Sequence, residues 1–311
     1  MKICVVGAGA VGGYYGAALK NAGFDVTFIA RGAHLEKMNE KGLEIRSPQE
    51  TYTVYGEFTN DIKAVEKADL ILFTVKSTET RTLAEEIAPY LKKDASVLTL
   101  QNGVDNEEVL AAVLGENRIV AGVTYVSTKV VEPGVIQRFH EIQTIVMGAL
   151  SETNSSAATW RELLHQANVD VEIADSIVEK KWAKLLWNAT FNPLSAAALA
   201  SVGDILDEKH LRTTAETILE EALSVGRALG ITFEQEWVDQ IFPLSEVARA
   251  HKTSMLQDRE SGKKMEVESL CGYFVRKGSE LGVPTPTIRT LYAILSSINE
   301  QAGNKVSTAK Q

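Results

Sequence analysis

The chain has 311 residues, more than one hydrophobic core usually organises, so two domains with separate cores are expected. With 32 Lys and Arg against 41 Asp and Glu the net charge is −9, and no basic block exceeds two residues, which argues against nucleic acid or an anionic membrane as partner. No run of 18 apolar residues offers a membrane span, and the apolar opening Ile3 to Val11 lacks a multiply charged start, so a cytoplasmic protein without a signal peptide is expected.

"KICVVG" (2–7) reads as a short buried strand, Val11 to Asn21 as a helix and "FDVTFIA" (24–30) as a second strand, together a β-α-β unit. "LILFTV" (70–75), "SVLTL" (96–100) and "IVAGVTYV" (119–126) are further buried-strand patterns, and their spacing by helices indicates a mostly parallel sheet covered on both faces. Between Gly134 and Gly148, "GVIQRF" and "QTIVMG" read as an antiparallel pair, and "VDVEIA" (169–174) as the last strand. From Ser176 the pattern turns helical, near 176–200, 212–229, 234–248 and 266–281. A terminal helix follows the Pro-rich turn at 284–286, and 303–311 read as a frayed tail. The expected architecture is an α/β N-terminal Rossmann-type dinucleotide-binding domain over 1–174 followed by an all-α C-terminal domain over 175–311. Cys4 and Cys271 read as separate buried thiols, and the five histidines show no metal-ligand spacing, so no metal site is expected.

"GAGAVG" places Gly7, Gly9 and Gly12 in the G-x-G-x-x-G spacing, directly after a strand and at the opening of a helix. The first glycine permits a tight turn, the second lets a pyrophosphate approach the backbone, and the third allows close helix–strand packing. The helix N-terminus supplies amide donors for phosphates. At the end of the second strand, where an NAD site carries an acidic residue, the sequence is "FIARG". Arg31 stands where a cation pairs with a 2′-phosphate, and Lys76 can reach the same group from the adjacent strand end, so NADPH is favoured over NADH. A solvated helix-start residue is the other reading of Arg31. Asn102, in "LQNG", also follows a strand and lies where open α/β sheets bind ligands; a plain Asn-Gly turn is its alternative.

In "KWAKLLWNATFNP" (181–193), Lys184, Asn188 and Asn192 recur at steps of four, which puts them on one ridge of a helix among Trp182, Leu185, Leu186, Trp187 and Phe191. A solvated face is the simplest explanation, but Asn is a poor helix former, so two of them indicate a task. Reduction of a carbonyl leaves charge on oxygen that needs a donor. Lys184 can stabilise the alkoxide and deliver the proton, while Asn188 and Asn192 orient substrate oxygens. Pro193 implies either a kink near Asn192 or a loop beginning there.

The glycine turn, Lys76, "QNG" (101–103), "KWAKLLWNATFNPLSAA" (181–197), "SMLQD" (254–258) and "EVESLCGY" (266–273) together resemble the motif set of the ketopantoate reductases, in order along nearly the whole chain. The resemblance implies NADPH-dependent reduction of 2-dehydropantoate to (R)-pantoate, on the route to pantothenate and coenzyme A. It implies that Lys184 is the catalytic lysine and Glu266 the acidic residue working with it. Asn102, Asn188, Asn192 and Ser254 match substrate contacts, Arg31 and Lys76 match contacts to the cofactor phosphate, and Asn102 is expected at the cofactor as well. On their own residues the last two motifs stay open: Ser254 begins an S-x-x-Q capping pattern, and Glu266 also suits a helix dipole. Two rivals use the same scaffold, a D-2-hydroxyacid dehydrogenase acting on another 2-oxo acid and a non-catalytic dinucleotide sensor. Arg31 and Lys76 favour the reductase over the first, and the proton-donor set argues against the second. A small-molecule 2-oxo acid is the expected partner, and a homodimer is plausible for a chain with a helical second domain.

Overall fold

The computed structural model describes the backbone of residues 1–308 and the side chains of residues 1–301. The chain divides into two compact units, Met1–Lys180 and Lys181 onward.

The first unit runs β1 (Lys2–Val6), α1 (Ala10–Asn21), β2 (Asp25–Ile29), α2 (Gly32–Lys41), β3 (Leu43–Arg46), β4 (Thr51–Val54), β5 (Glu57–Thr59), β6 (Leu70–Phe73), α3 (Thr80–Ile87), β7 (Ser96–Thr99), α4 (Asp105–Leu114), β8 (Ile119–Glu132), β9 (Val135–Ala149), α5 (Ser156–Gln166) and β10 (Asp170–Ile173). One sheet forms in the order β4-β3-β9-β8-β7-β6-β1-β2-β5, with β10 also paired to β9. From β8 through β5 every pairing is parallel. Burial on both faces explains why β1, β6 and β7 read as largely apolar runs. Ile3, Val5, Leu70 and Leu72 face a core shared with Tyr15 and Leu19 of α1 and Trp160 of α5. Cys4, Val6, Ile71 and Phe73 face the opposite core, with Ala84 and Ile87 of α3 and Leu110 of α4. Trp160 is wholly buried and its indole N–H donates to Ser96 Oγ at 3.1 Å, so this large side chain leaves no orphaned donor.

One expectation about the strands needs correction. "GVIQRF" and "QTIVMG" do not pair with each other; both lie in the single strand β9, whose antiparallel partner is β8. The turn residues explain this: Gly134, at φ +79°, closes the β8–β9 hairpin, whereas His140–Ile142 between the two segments hold no turn former. Strands β3, β4 and β5 were not anticipated, being short and mixed in polarity.

Helices α6 (Ile177–Ala198), α7 (Val202–Asp207), α8 (Lys209–Ala228), α9 (Gln235–Ser245), α10 (Ser254–Glu260), α11 (Tyr273–Leu281) and α12 (Pro286–Thr308) follow. Of the two readings of Pro193 the loop is excluded, because α6 continues through it to Ala198. A wider π turn at Glu268–Gly272 leads into α11. In the second unit Trp182 is an aromatic hub, with ring centroids 6.0 Å from Phe233, 6.1 Å from Tyr273 and 5.9 Å from Phe274. The buried Glu221 of α8 accepts the Thr287 and Ile288 N–H groups at 2.9 and 3.0 Å, which fixes the start of α12. That helix runs to Thr308, into the segment expected to fray; 309–311 lie outside the described residues. No described helix is long and apolar enough to cross a membrane.

Candidate active site

In the first unit the glycine turn joins β1 to α1. Gly7 sits at φ +94°, a left-handed conformation that side chains rarely adopt, and its N–H and that of Ala8 donate to Ile29 O at the end of β2. Thr74 Oγ1 donates to Gly7 O at 3.0 Å. A Cβ at Gly12 would fall 2.1 Å from Thr74 Oγ1 and 2.5 Å from Gly7 O, so this position tolerates no side chain. At Gly9 the reverse holds: a Cβ would meet no atom of the described residues within 4 Å. No side chain caps the start of α1. An open face over Gly9 beside an uncapped helix start is a cradle that fits a pyrophosphate.

Arg31 is the residue before α2, immediately past β2, and Lys76 follows β6. Since β2 and β6 are the two neighbours of β1, both cations stand at strand ends flanking the glycine turn. Both are exposed, and Arg31 is ion-paired with Glu79, a residue sequence reasoning had not singled out. Asn102 lies beyond β7, and Gly103 at φ +90° shows that a turn does form there. Buried groups fix that turn: Asn106 Nδ2 donates to Asn102 O at 2.7 Å, Thr80 Oγ1 donates to Asn106 Oδ1 at 2.7 Å, and Gln101 Nε2 donates to Thr80 Oγ1 at 2.7 Å.

In the second unit Lys184, Asn188 and Asn192 all lie on α6. The solvated-face alternative fails for the asparagines, which are 6% and 2% exposed; Lys184 is partly buried. Burial lowers the Lys184 ammonium from 10.5 to about 8, with the Lys181 charge one turn earlier as the next cause, while the Glu266 carboxylate opposes both. Lys181 is itself buried and was not anticipated as part of the site, although "KWAK" displays it. Asn192 Nδ2 lies 3.5 Å from Ser254 Oγ, a long contact, and Asn192 Oδ1 is buried without a hydrogen-bond partner among the described residues, an acceptor suited to a ligand hydroxyl.

Ser254 does not cap α10. The cap is Thr253, fully buried, whose Oγ1 accepts the Leu256 N–H at 3.2 Å; Ser254 is the first helical residue, with an exposed side chain. Arg259 of the same helix donates to Ala196 O and, at 3.0 Å, to Ala197 O at the end of α6, tying together the helices that carry Ser254 and Asn192. Glu266 precedes the helical turn that begins at Val267. Met265 just before it is held by Asn299 of α12, which was not foreseen and has no local sequence signal.

A parallel α/β unit with this glycine turn, followed by a helical unit bearing a lysine of lowered basicity among buried amides, has the build of an oxidoreductase. Two sequence models of one family match the chain, ketopantoate reductase PanE/ApbA over residues 3–152 and its C-terminal part over 176–299. The chain belongs to the ketopantoate reductase family. It is 32% identical to 2-dehydropantoate 2-reductase of Archaeoglobus fulgidus, over 96% of this chain and 97% of that one. The crystal structure of a PanE/ApbA family ketopantoate reductase from Ralstonia eutropha is 34% identical, covers 97% of this chain and 100% of its own, and superposes with a TM-score of 0.92. A D-mandelate dehydrogenase structure, 23% identical over 97% of this chain and 100% of its own, shares the fold with a TM-score of 0.89.

Proposed function

We propose that this protein reduces the 2-oxo group of 2-dehydropantoate to (R)-pantoate with NADPH, a step toward pantothenate and coenzyme A. The observation that carries the reading is Lys184, whose ammonium is lowered to about 8 on a helix ridge shared with two buried asparagines. A lysine at its ordinary value of 10.5 parts with its proton reluctantly near neutral pH; one near 8 is still mostly charged there yet a better acid. NADPH, when bound, supplies a hydride to the 2-oxo carbon. Lys184 hydrogen-bonds the carbonyl oxygen, stabilises the negative charge growing on it and delivers the proton to the alkoxide. Glu266 keeps Lys184 charged, since its carboxylate favours the ammonium. Asn188 and Asn192 orient the substrate, the Asn192 Oδ1 accepting from its hydroxyl, and Ser254 adds a further hydroxyl contact. Asn102 contacts substrate from the loop after β7. Gly7, Gly9 and Gly12 form the pyrophosphate cradle, and Arg31 and Lys76 hold the 2′-phosphate. The Archaeoglobus fulgidus relative, named 2-dehydropantoate 2-reductase, supports the choice of substrate.

Steady-state oxidation of NADPH and NADH with 2-dehydropantoate and a panel of 2-oxo acids tests the reading. NADPH with 2-dehydropantoate is expected to give the highest kcat/KM. A higher value with another 2-oxo acid reassigns the protein as a 2-hydroxyacid dehydrogenase, and no turnover with any substrate leaves the sensor.

A further inference from the structure

The Arg31 guanidinium already has an anionic partner in Glu79. The pair joins residues 48 apart in sequence. Arg31 stands at the end of β2, while Glu79 ends the 3-10 turn Ser77–Glu79 that follows β6 and Lys76. Their side chains are 66% and 39% exposed, and an ion pair so open to water contributes little to holding a fold together. Glu79 is also the residue before α3, where a carboxylate commonly caps the helix, but its side chain makes no capping hydrogen bond and turns to Arg31 instead.

We infer that Glu79 is a cofactor-specificity residue, which limits the preference for a 2′-phosphorylated dinucleotide by occupying the guanidinium that the phosphate would use. The inference rests on the proposed placement of the 2′-phosphate at Arg31 and deepens it. A 2′-phosphate entering this site must displace the carboxylate from Arg31 or lie beside a like charge, and either weakens its binding. A bare ribose carries no such penalty, because its 2′-hydroxyl can donate to the same carboxylate. Arg31 and Lys76 therefore pull toward NADPH while Glu79 keeps NADH within reach.

The test is calorimetric binding of 2′,5′-ADP and of ADP to the full chain, comparing wild type, Glu79→Gln and Arg31→Ala at low and high salt. Glu79→Gln should bind 2′,5′-ADP about tenfold more tightly, with the gain shrinking at high salt and no gain for ADP. Unchanged or weaker binding of 2′,5′-ADP by Glu79→Gln would overturn the inference. If Arg31→Ala alone abolishes the preference for 2′,5′-ADP, the NADPH reading survives without Glu79. Equal binding of the two nucleotides by both wild type and Glu79→Gln would overturn the inference and the NADPH reading together.

Discussion

Asn299 holds Met265 at both its backbone groups: its Oδ1 accepts the Met265 N–H and its Nδ2 donates to the Met265 carbonyl, each at 3.0 Å. Met265 is 2% exposed, so water cannot replace these bonds, and the next residue is Glu266. Asn299→Ala should therefore cost about 1–3 kcal/mol of stability, the typical penalty for orphaned buried groups. It should also raise the KM for the 2-oxo acid severalfold while leaving dinucleotide affinity unchanged. Thermal melting together with steady-state kinetics checks both, and an unaltered melting temperature would contradict the clamp.

Thr253 and Ser254 should respond differently although they are adjacent. Thr253→Ala removes the cap of α10 and should cost about 1 kcal/mol. Ser254→Ala, at an exposed side chain, should leave stability within about 0.5 kcal/mol and raise the substrate KM. Equal melting shifts for the two variants would return the capping role to Ser254.

Gly9→Ala and Gly12→Ala separate binding from folding in the glycine turn. At Gly9 the added methyl enters open space, so the protein should melt normally yet bind dinucleotide at least tenfold more weakly, as expected if pyrophosphate occupies that space. At Gly12 the methyl collides with Thr74 Oγ1 and the Gly7 carbonyl, so a loss of stability of about 1–3 kcal/mol accompanies the loss of binding. Calorimetry with ADP and thermal melting distinguish the two.

The lowered Lys184 carries a stability cost with a definite sign. The unfolded chain binds the Lys184 proton up to about 10.5 and the folded chain only up to about 8, so between those values the unfolded state holds more protons and stability rises with pH. Below about pH 8 the cost is fully present. Lys184→Met should therefore stabilise the protein at pH 7 by roughly 1–3 kcal/mol, and that gain should fade toward pH 10.5. Urea unfolding at pH 7 and pH 10 reads this out, and a destabilised variant at pH 7 would contradict it.

Much of this was legible in the sequence because the signals are local. Largely apolar runs marked β1, β6 and β7, the β-α-β pattern marked β2, and the three glycines marked the turn between β1 and α1. The four-residue steps of Lys184, Asn188 and Asn192 marked a ridge before any geometry was known. What stayed hidden is made by residues far apart: Glu79 reaches Arg31 across 48 positions, and Asn299 reaches Met265 across 34. The cap of α10 went to the wrong neighbour because Thr253 and Ser254 both suit that role, and only the backbone shows where the helix starts. Strands β3 to β5 escaped notice because three or four residues of mixed polarity display no period.

The central claim is that Lys184 donates the proton, and the most direct measurement is the pH profile of kcat/KM for wild type and Lys184→Ala, with added primary amines in the variant. The wild-type rate should be level below pH 8 and fall tenfold per pH unit above an inflection near 8, where the ammonium is lost. Lys184→Ala should lose about 10²- to 10⁴-fold in rate and lose the inflection, with activity partly restored by amines and nucleotide affinity intact. Retention of either the rate or the inflection in Lys184→Ala would contradict the account.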